Sequence, residues 1–303
     1  WTELRYVPGL YGSKKFGDFR VGLSAGASIE PDYLSLAAGL NASVDLADKR
    51  VTPTLAYGFG YDIQGRSGTS FDAFSTVIIQ NSVDASVSVV ADKATVVGGG
   101  VTAVFQTGDT SKPYRYIPLF SEDIIPQIPP GLVREEVDRV RSPVRALEQL
   151  PTERYRFAVA GRVAHRLESS TLRLDQRLYI DTWGVKATTT DGKFLIDVDR
   201  VRVWPHLRFH AQTGADFWQL AYPVRQDSAS GEIVLPNYRT GDRELGPMIS
   251  ATGGGGVKVF VGENRNFSLG FTGDVVYSRF LNHLYILERF GFFGALVGEV
   301  EFK

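Results

Sequence analysis

The sequence predicts an all-β protein, a transmembrane antiparallel β-barrel of about 12–14 strands, and three observations support this prediction. Apolar and polar residues alternate with a period of two, the alternating segments are long enough to cross a bilayer, and short connections take turns with long ones. In residues 17–29 the odd positions, from Phe19 to Ile29, are mostly apolar, whereas the even positions are small or polar. A period of two is that of an extended strand and excludes a helix.

The alternating segments are unusually long. Strands of soluble proteins usually have about 5–6 residues, whereas a tilted strand needs about 9–11 residues to cross a bilayer. We predict twelve strands, at residues 16–30, 32–47, 51–63, 73–91, 93–107, 153–168, 170–183, 185–199, 201–220, 246–262, 265–280 and 291–303. Residues 1–12 are a candidate thirteenth strand.

The connections between these segments alternate in length. Short polar stretches such as "LADKR", "ADK" and "DVDR" fall at every second junction, and longer connections span 63–72, 108–152, 220–245 and 281–290. Outer-membrane barrels have this asymmetry, with short periplasmic turns and long extracellular loops. Since single-chain bacterial barrels have even strand numbers, twelve strands would close without residues 1–12, and fourteen would need that segment and one more strand before it.

Residues 108–152 interrupt the rhythm of the strands. The stretch is rich in proline up to Pro130, and Val133, Val137 and Val140 then follow at helical spacing, so that a short helix ending before Pro143 is expected. A connection of this length is usually functional. We interpret residues 1–303 as one barrel domain in which 108–152 forms a long loop, a candidate lid or plug.

Composition excludes several classes of function. The 33 basic and 34 acidic residues nearly cancel, so no nucleic-acid partner is expected. Cysteine is absent and histidine occurs four times, so neither a metal site nor a cofactor is predicted. No apolar run reaches the roughly 18 residues of a membrane-spanning helix. The expected partners are outer-membrane lipid and lipopolysaccharide, with another envelope protein as a further candidate.

The face opposite the apolar positions carries a basic patch on the neighbouring strands 153–168, 170–183 and 201–220, which is the candidate site for a solute or a partner. Its members are Arg154, Arg156, Arg162, Arg166, Arg173, Arg177, Arg202, His206, Arg208 and His210. The simpler interpretation is a lattice of salt bridges across the lumen. Its acidic members would come from distant strands, as Asp18, Glu30, Asp45, Asp62, Asp84 and Asp274, or from nearby, as Asp175 and Asp181.

Two alternatives remain at this stage. A membrane hydrolase would need Ser268 or Ser278 to meet His206 or His210 at the barrel rim. A large soluble β-sandwich would alternate in the same way but would bury its apolar faces against each other. Aromatic residues near strand ends, such as Trp183 and Trp204, could form an interfacial girdle or simply pack inside the protein.

Two motifs add a family resemblance. The stretch "SPVRALEQLPTERYRFAVAGRVAHRL" precedes a strand that ends in "YIDTWGVKA". This pairing resembles the signature of an uncharacterised family of Gram-negative outer-membrane β-barrels, in which P-x-x-x-x-E-x-L-P-x-x-R-x-R is followed by D-x-W-G. The resemblance implies an integral outer-membrane location and transfers no catalytic residue. We therefore expect a pore, or a scaffold for a partner in an envelope assembly, without catalysis.

Overall fold

The computed structural model describes residues 4–226, 229–262 and 266–300. These residues contain one α-helix, α1 (Arg134–Val140), two short 3-10 turns, Ile125–Gln127 and Arg243–Leu245, and eighteen strands. The strands are β1 (Gly9–Phe16), β2 (Phe19–Glu30), β3 (Tyr33–Val44), β4 (Val51–Gln64), β5 (Thr76–Val90), β6 (Thr95–Gly108), β7 (Tyr116–Phe120), β8 (Arg145–Leu147), β9 (Glu153–Arg166), β10 (Ser170–Asp181), β11 (Lys186–Val198), β12 (Val201–Gln212), β13 (Tyr222–Pro223), β14 (Arg225–Gln226), β15 (Ile233–Val234), β16 (Met248–Val261), β17 (Phe267–Phe280) and β18 (Glu288–Val300). None of the described helices is long and apolar enough to span a membrane.

Thirteen long strands form one antiparallel sheet in which each strand pairs with the next one along the chain. Its order is β1-β2-β3-β4-β5-β6-β9-β10-β11-β12-β16-β17-β18. All twelve predicted strands are present, and β1 confirms that a further strand lies near the start of the chain. The predicted end at residue 220 was wrong, because β12 stops at Gln212 and a folded loop begins there. Residues 301–303 of the last predicted strand lie outside the described residues.

The apolar faces of these strands point away from the protein. Leu178 and Ile180 on β10 are 56% and 55% exposed, and Val159 on β9 is 58% exposed. In water each large apolar side chain left exposed would forgo about 1.5–3 kcal/mol, whereas hydrocarbon around the sheet removes that cost. The soluble sandwich is therefore wrong, since it would bury these faces, and the sheet has the fold of a transmembrane barrel.

The buried core lies at the loop end of the barrel instead. We call the described residues of 109–152, 213–247 and 281–287 the loop cluster. It holds a three-stranded sheet, β13-β7-β8, and the hairpin β14-β15. Phe120, Val137 and Leu284 form one apolar core there, and Ile117, Leu119 and Tyr222 belong to another. The long loop is thus a folded unit with a core of its own.

The predicted helix is confirmed and its placement has a packing reason. α1 spans Arg134–Val140 within the expected segment, and Val137 is 1% exposed against Phe120 and Leu284. The backbone turns extended at Arg141, before Pro143. Packing of one apolar face against the loop cluster therefore stabilises a helix of two turns that would not persist alone.

Candidate functional site

All ten side chains of the predicted basic patch lie on the face opposite the exposed apolar residues, on β9, β10 and β12. In the register of β9 and β10, Leu178 pairs with Val159 on the outer face and Arg177 pairs with Ala160 on the inner face. The next strand, β11, adds Thr189, Asp191 and Lys193 to the inner face. We call the inner face of β9–β12 the charged wall.

Five of the eight arginines are held by carboxylates of the same wall. Arg154 bonds Asp181 at 2.5 Å, Arg173 bonds Asp175 at 2.7 Å, and Arg162 also contacts Asp175. The remaining two share one carboxylate, since Asp197 lies 2.6 Å from Arg166 and 2.5 Å from Arg202.

The predicted lattice therefore exists but is mostly local. Asp175 and Asp181 pair as proposed, and Asp197 was missed. Among the distant acids, Asp274 meets His206 of the patch as predicted, whereas Asp45 and Glu30 bind Lys15 and Arg5, outside the charged wall. Most arginines of the charged wall are therefore neutralised by carboxylates of nearby strands and not by carboxylates across the lumen.

Three cations that line one cavity of the lumen have no ion pair among the residues the structure describes. Arg177 is on β10, Lys193 is on β11 and Arg208 is on β12. They line one cavity of about 620 Å³ halfway along the barrel, here called the mid-lumen cavity. Five basic and three acidic side chains line it, so its local charge is positive. Lys193 was absent from the predicted patch, although its odd-numbered position beside Asp191 places it on the inner face.

Both histidines of the patch are fully engaged. His206 meets Asp274 through Nδ1 at 2.9 Å and Asp191 through Nε2 at 3.0 Å. His210 meets Thr189 at 2.9 Å and Gln212 at 3.2 Å. Neither imidazole therefore has a nitrogen free to take a proton from Ser268 or Ser278, as the hydrolase interpretation requires. No cluster of three or more His, Asp or Glu in the described part of the chain is arranged to hold a metal ion.

A second cavity, of about 600 Å³, lies at the loop end of the lumen; we call it the mouth cavity. Its barrel side consists of the inner ends of β2–β6 and β9, and Lys112, Leu150 and Leu245 of the loop cluster lie over it. Lys112 donates from Nζ to Gln64 of β4 at 3.0 Å, which ties the loop cluster to the barrel. A smaller cavity of about 260 Å³, lined by Arg156 and Arg177, lies between the mouth cavity and the mid-lumen cavity.

The two sequence motifs meet at the junction of barrel and loop cluster. Arg154 donates from Nε and Nη2 to Asp181, and its guanidinium lies 4.3 Å from the ring centre of Trp183. The other Asp181 oxygen accepts from the backbone N–H groups of Trp183 and Val185, both at 3.0 Å. Gly184 has φ +85°, and a Cβ there would lie 2.1 Å from Asp216. The R-x-R and D-x-W-G motifs therefore build one structural joint.

The glutamate of the first motif has a similar role inside the loop cluster. The Glu148 side chain is fully buried and accepts from Arg115 at 2.9 Å, from Thr240 at 2.5 Å and from the backbone of Lys112. Burial alone would lower the pKa of Arg115, but Glu148 and Asp242 together raise it. Arg115 therefore stays charged and holds the loops 109–115 and 239–242 together.

Two of the aromatic residues proposed for a girdle lie elsewhere. Trp183 is 5% exposed and packs with Leu150, Val185 and Leu245. Trp204 faces the lumen, where a Cβ on Gly256 would lie 2.3 Å from its ring. Packing, the alternative interpretation, is the correct one for both.

Solved structures with a similar fold are outer-membrane barrels. The siderophore receptor PirA from Acinetobacter baumannii matches with a TM-score of 0.52 and 10% identity over 99% of this chain and 49% of the receptor. The ferric preacinetobactin receptor BauA, from the same organism, matches with a TM-score of 0.46 and 15% identity over 95% of this chain and 49% of the receptor. CdiB, also from that organism, matches with a TM-score of 0.44 and 9% identity over 98% of this chain and 53% of CdiB. The chain spans about half the length of each of these proteins.

The likeness to PirA shows the fold alone. The fold of this protein is that of an integral outer-membrane β-barrel. A search of curated proteins finds no match to the sequence. The family model for "Protein of unknown function (DUF3570)" matches residues 11–273. The chain belongs to this DUF3570 family.

Proposed function

We propose that the protein is an outer-membrane pore for small polar solutes with a preference for anions. The supporting observation is the excess of cations in the mid-lumen cavity, where Arg177, Lys193 and Arg208 lack carboxylate partners among the described residues. A cleft lined by one sign of charge concentrates counter-ions. The effect persists at physiological salt, because the Debye length of about 8 Å is comparable to the spacing of charges inside a narrow lumen. Side-chain charges of this kind set the selectivity of many pores.

In this proposal the loop cluster is a lid over the outer mouth. Its residues lie over the mouth cavity, and its own apolar cores give it a fixed shape. The joint of Arg154, Asp181 and Trp183 fastens it to β9 and β10. A folded lid keeps its position over the mouth, whereas an unstructured segment could move aside. The lid therefore restricts passage to small solutes.

Planar-bilayer recording under a KCl gradient tests the proposal. We expect steady conductance with a reversal potential of the sign that chloride permeation gives. The double variant Arg177→Gln/Arg208→Gln should move the reversal potential towards zero or past it, because it removes two of the three unpaired cations. Arg139→Gln, on the exposed face of α1, makes the same chemical change outside the lumen and should have no effect. A silent membrane or a cation-selective current in the unmodified protein would contradict the proposal.

The alternative role is a scaffold for a partner protein, and one surface feature favours it. A groove of about 430 Å³ on the loop cluster is lined by Tyr116, Tyr285 and three arginines, Arg134, Arg141 and Arg145, with Asp138 as the only carboxylate among its lining residues. Such a groove suits an acidic segment with an apolar side chain. A protein that is silent in bilayers but loses co-purification of a partner on Arg145→Glu would support this role over that of a pore.

A further inference from the structure

We propose that the mouth cavity binds short zwitterionic peptides, with the peptide carboxylate at Arg156 and the peptide ammonium group at Asp62. The site lies between the loop cluster and the ends of the strands, apart from the three unpaired cations of the mid-lumen cavity. The proposal concerns binding and goes beyond conduction.

The basic end of the cavity is on β9. Arg154 and Arg156 both line it, but Asp181 neutralises Arg154 alone. Arg156 donates from Nη2 to Gln106, while its Nε is buried and has no hydrogen-bond partner. No ion pair with Arg156 occurs among the described residues. Arg156 is half-buried, and a guanidinium with an unused, buried Nε donor favours an anionic group. A carboxylate can accept from two guanidinium N–H groups at once.

The acidic end lies on β3 and β4. Asp62 accepts a hydrogen bond from the Tyr33 hydroxyl but has no ion pair in the described part of the chain, and Asp32 lines the same end. The two cations of this end, Arg5 and Lys112, are already bound, since Arg5 contacts Glu30 at 3.2 Å and Lys112 donates to Gln64. A carboxylate accepts hydrogen bonds and does not donate. Tyr33 supplies a neutral donor only, so the charge of Asp62 has no cationic partner and favours an ammonium group.

Glutamine amides connect the two ends. Gln106 of β6 pairs with Arg154 of β9 on one side and with Gln80 of β5 on the other. Gln80 in turn pairs with Gly60 of β4, which lies two residues before Asp62.

In this register Arg156 is level with Gly58, so Asp62 lies three strands across and four residues further along the barrel. With strands about 4.8 Å apart and a rise of about 3.4 Å per residue, the two backbone positions are about 20 Å apart, and the inward-pointing side chains of Arg156 and Asp62 shorten the gap between the charges. An extended peptide advances about 3.3–3.6 Å per residue. Three or four residues therefore reach from Arg156 to Asp62, with the amides available to the peptide groups between them.

A further unpartnered atom completes the site. Thr110 Oγ1, in the loop cluster, is buried without a hydrogen-bond partner and lines the same cavity. Buried polar groups in proteins are nearly always hydrogen-bonded, to a ligand or ordered water if not to the protein. The two side-chain atoms that are buried and unpartnered among the described residues, Thr110 Oγ1 and Arg156 Nε, both belong to residues of this cavity.

Titration calorimetry on the full chain in detergent tests the site with ligand pairs that each remove one charge. Triglycine should bind, whereas N-acetyl-triglycine, which lacks the ammonium group, and triglycine amide, which lacks the carboxylate, should each bind at least about tenfold more weakly. Free glycine is too short to reach both ends and should bind no better than the blocked peptides. This series uses the unmodified protein and so does not depend on the folding of any variant.

Two variants assign the ends. Arg156→Gln should weaken triglycine binding about tenfold and leave the affinity for triglycine amide unchanged, because that ligand lacks the carboxylate. Asp62→Asn should also weaken triglycine binding about tenfold and leave the affinity for N-acetyl-triglycine unchanged, because that ligand lacks the ammonium group. Arg139→Gln is the matched control. The proposal is overturned if triglycine fails to bind, if the blocked peptides bind as tightly as triglycine, or if neither variant changes its affinity. Because binding is measured without a membrane, a protein that conducts no ions can still pass or fail this test.

Discussion

The two lumen walls of the barrel differ in what their inner faces carry. On β2–β5 the inner face is mostly small and uncharged, as at Ser24, Gly39 and Gly58. On β9–β12 it carries arginine, lysine, histidine or aspartate at more than half of the inward positions. Placing most of the charges on one wall lets aspartates of the same wall neutralise most of the arginines. It leaves an unpaired remainder that faces a wall with few charges, of which Asp84 lines the mid-lumen cavity. That remainder, and not the total charge, gives the lumen its sign.

The charged wall itself has two kinds of cation. Arg154 is tied to a fully buried carboxylate at the loop end, while Arg177 and Arg208 face the mid-lumen cavity without an ion pair among the described residues. We expect the first kind to determine stability and the second to determine selectivity. Three substitutions separate these effects.

The largest effect is expected for Asp181→Asn. The substitution leaves the Arg154 charge half-buried without its carboxylate and weakens the two backbone bonds to Trp183 and Val185. Breaking a buried ion pair by removing one partner costs about 3–5 kcal/mol. Thermal unfolding in detergent should show a correspondingly lower midpoint. The control is Asp72→Asn, which changes an exposed loop carboxylate. An equal loss of stability in both variants would show that the Arg154–Asp181 pair does not stabilise the junction of barrel and loop cluster.

A moderate effect is expected for Gly254→Ala, beside the charged wall. A Cβ there would lie 2.2 Å from Asp274 Oδ1 and 2.3 Å from the backbone oxygen of Gly273, and the latter cannot move aside. Overpacking of this kind costs about 1–3 kcal/mol. On β3, in the wall of small side chains, a Cβ at Gly39 would come too close only to Ser24 Oγ, at 2.6 Å, and this hydroxyl can rotate away. Unfolding of the Gly39 variant should therefore stay close to that of the unmodified protein, and equal losses at the two glycines would show that the walls do not differ in packing.

The smallest effect on stability is expected for a charge moved between walls. Thr54 on β4 lines the mid-lumen cavity together with Arg208. Arg208→Gln should reduce anion preference in bilayer recordings, and adding Thr54→Arg should restore it, with less than about 0.5 kcal/mol change in unfolding. If the restored charge leaves the reversal potential where Arg208→Gln put it, local geometry at Arg208 determines selectivity, and the overall charge of the cavity does not.

The candidate site was predictable in part. Alternation placed all ten residues of the basic patch on the inner face, because cross-strand neighbours of a sheet share a face. It could not say which arginines are paired, since pairing depends on register and Asp197 reaches Arg166 and Arg202 from the far end of β11. The two motifs that contain Arg154 and Asp181 were recognisable in the sequence. The contact between these two residues was not, because it depends on the register of β9 and β10 and on the packing of Trp183 under the loop cluster.

The sequence alone determined that this chain forms long strands with one apolar and one polar face, because alternation with a period of two is that of an extended strand. It also determined α1, through three valines at helical spacing. The structure decided that the apolar faces point outwards and not against each other, which excludes the sandwich. Only the tertiary structure decided that the proline-rich loop is a folded unit with its own apolar cores, since its packing partners come from residues more than eighty positions away along the chain. The division of the lumen cations into paired and unpaired groups was likewise decided there, because a charge is neutralised by whichever carboxylate the register brings within about 4 Å.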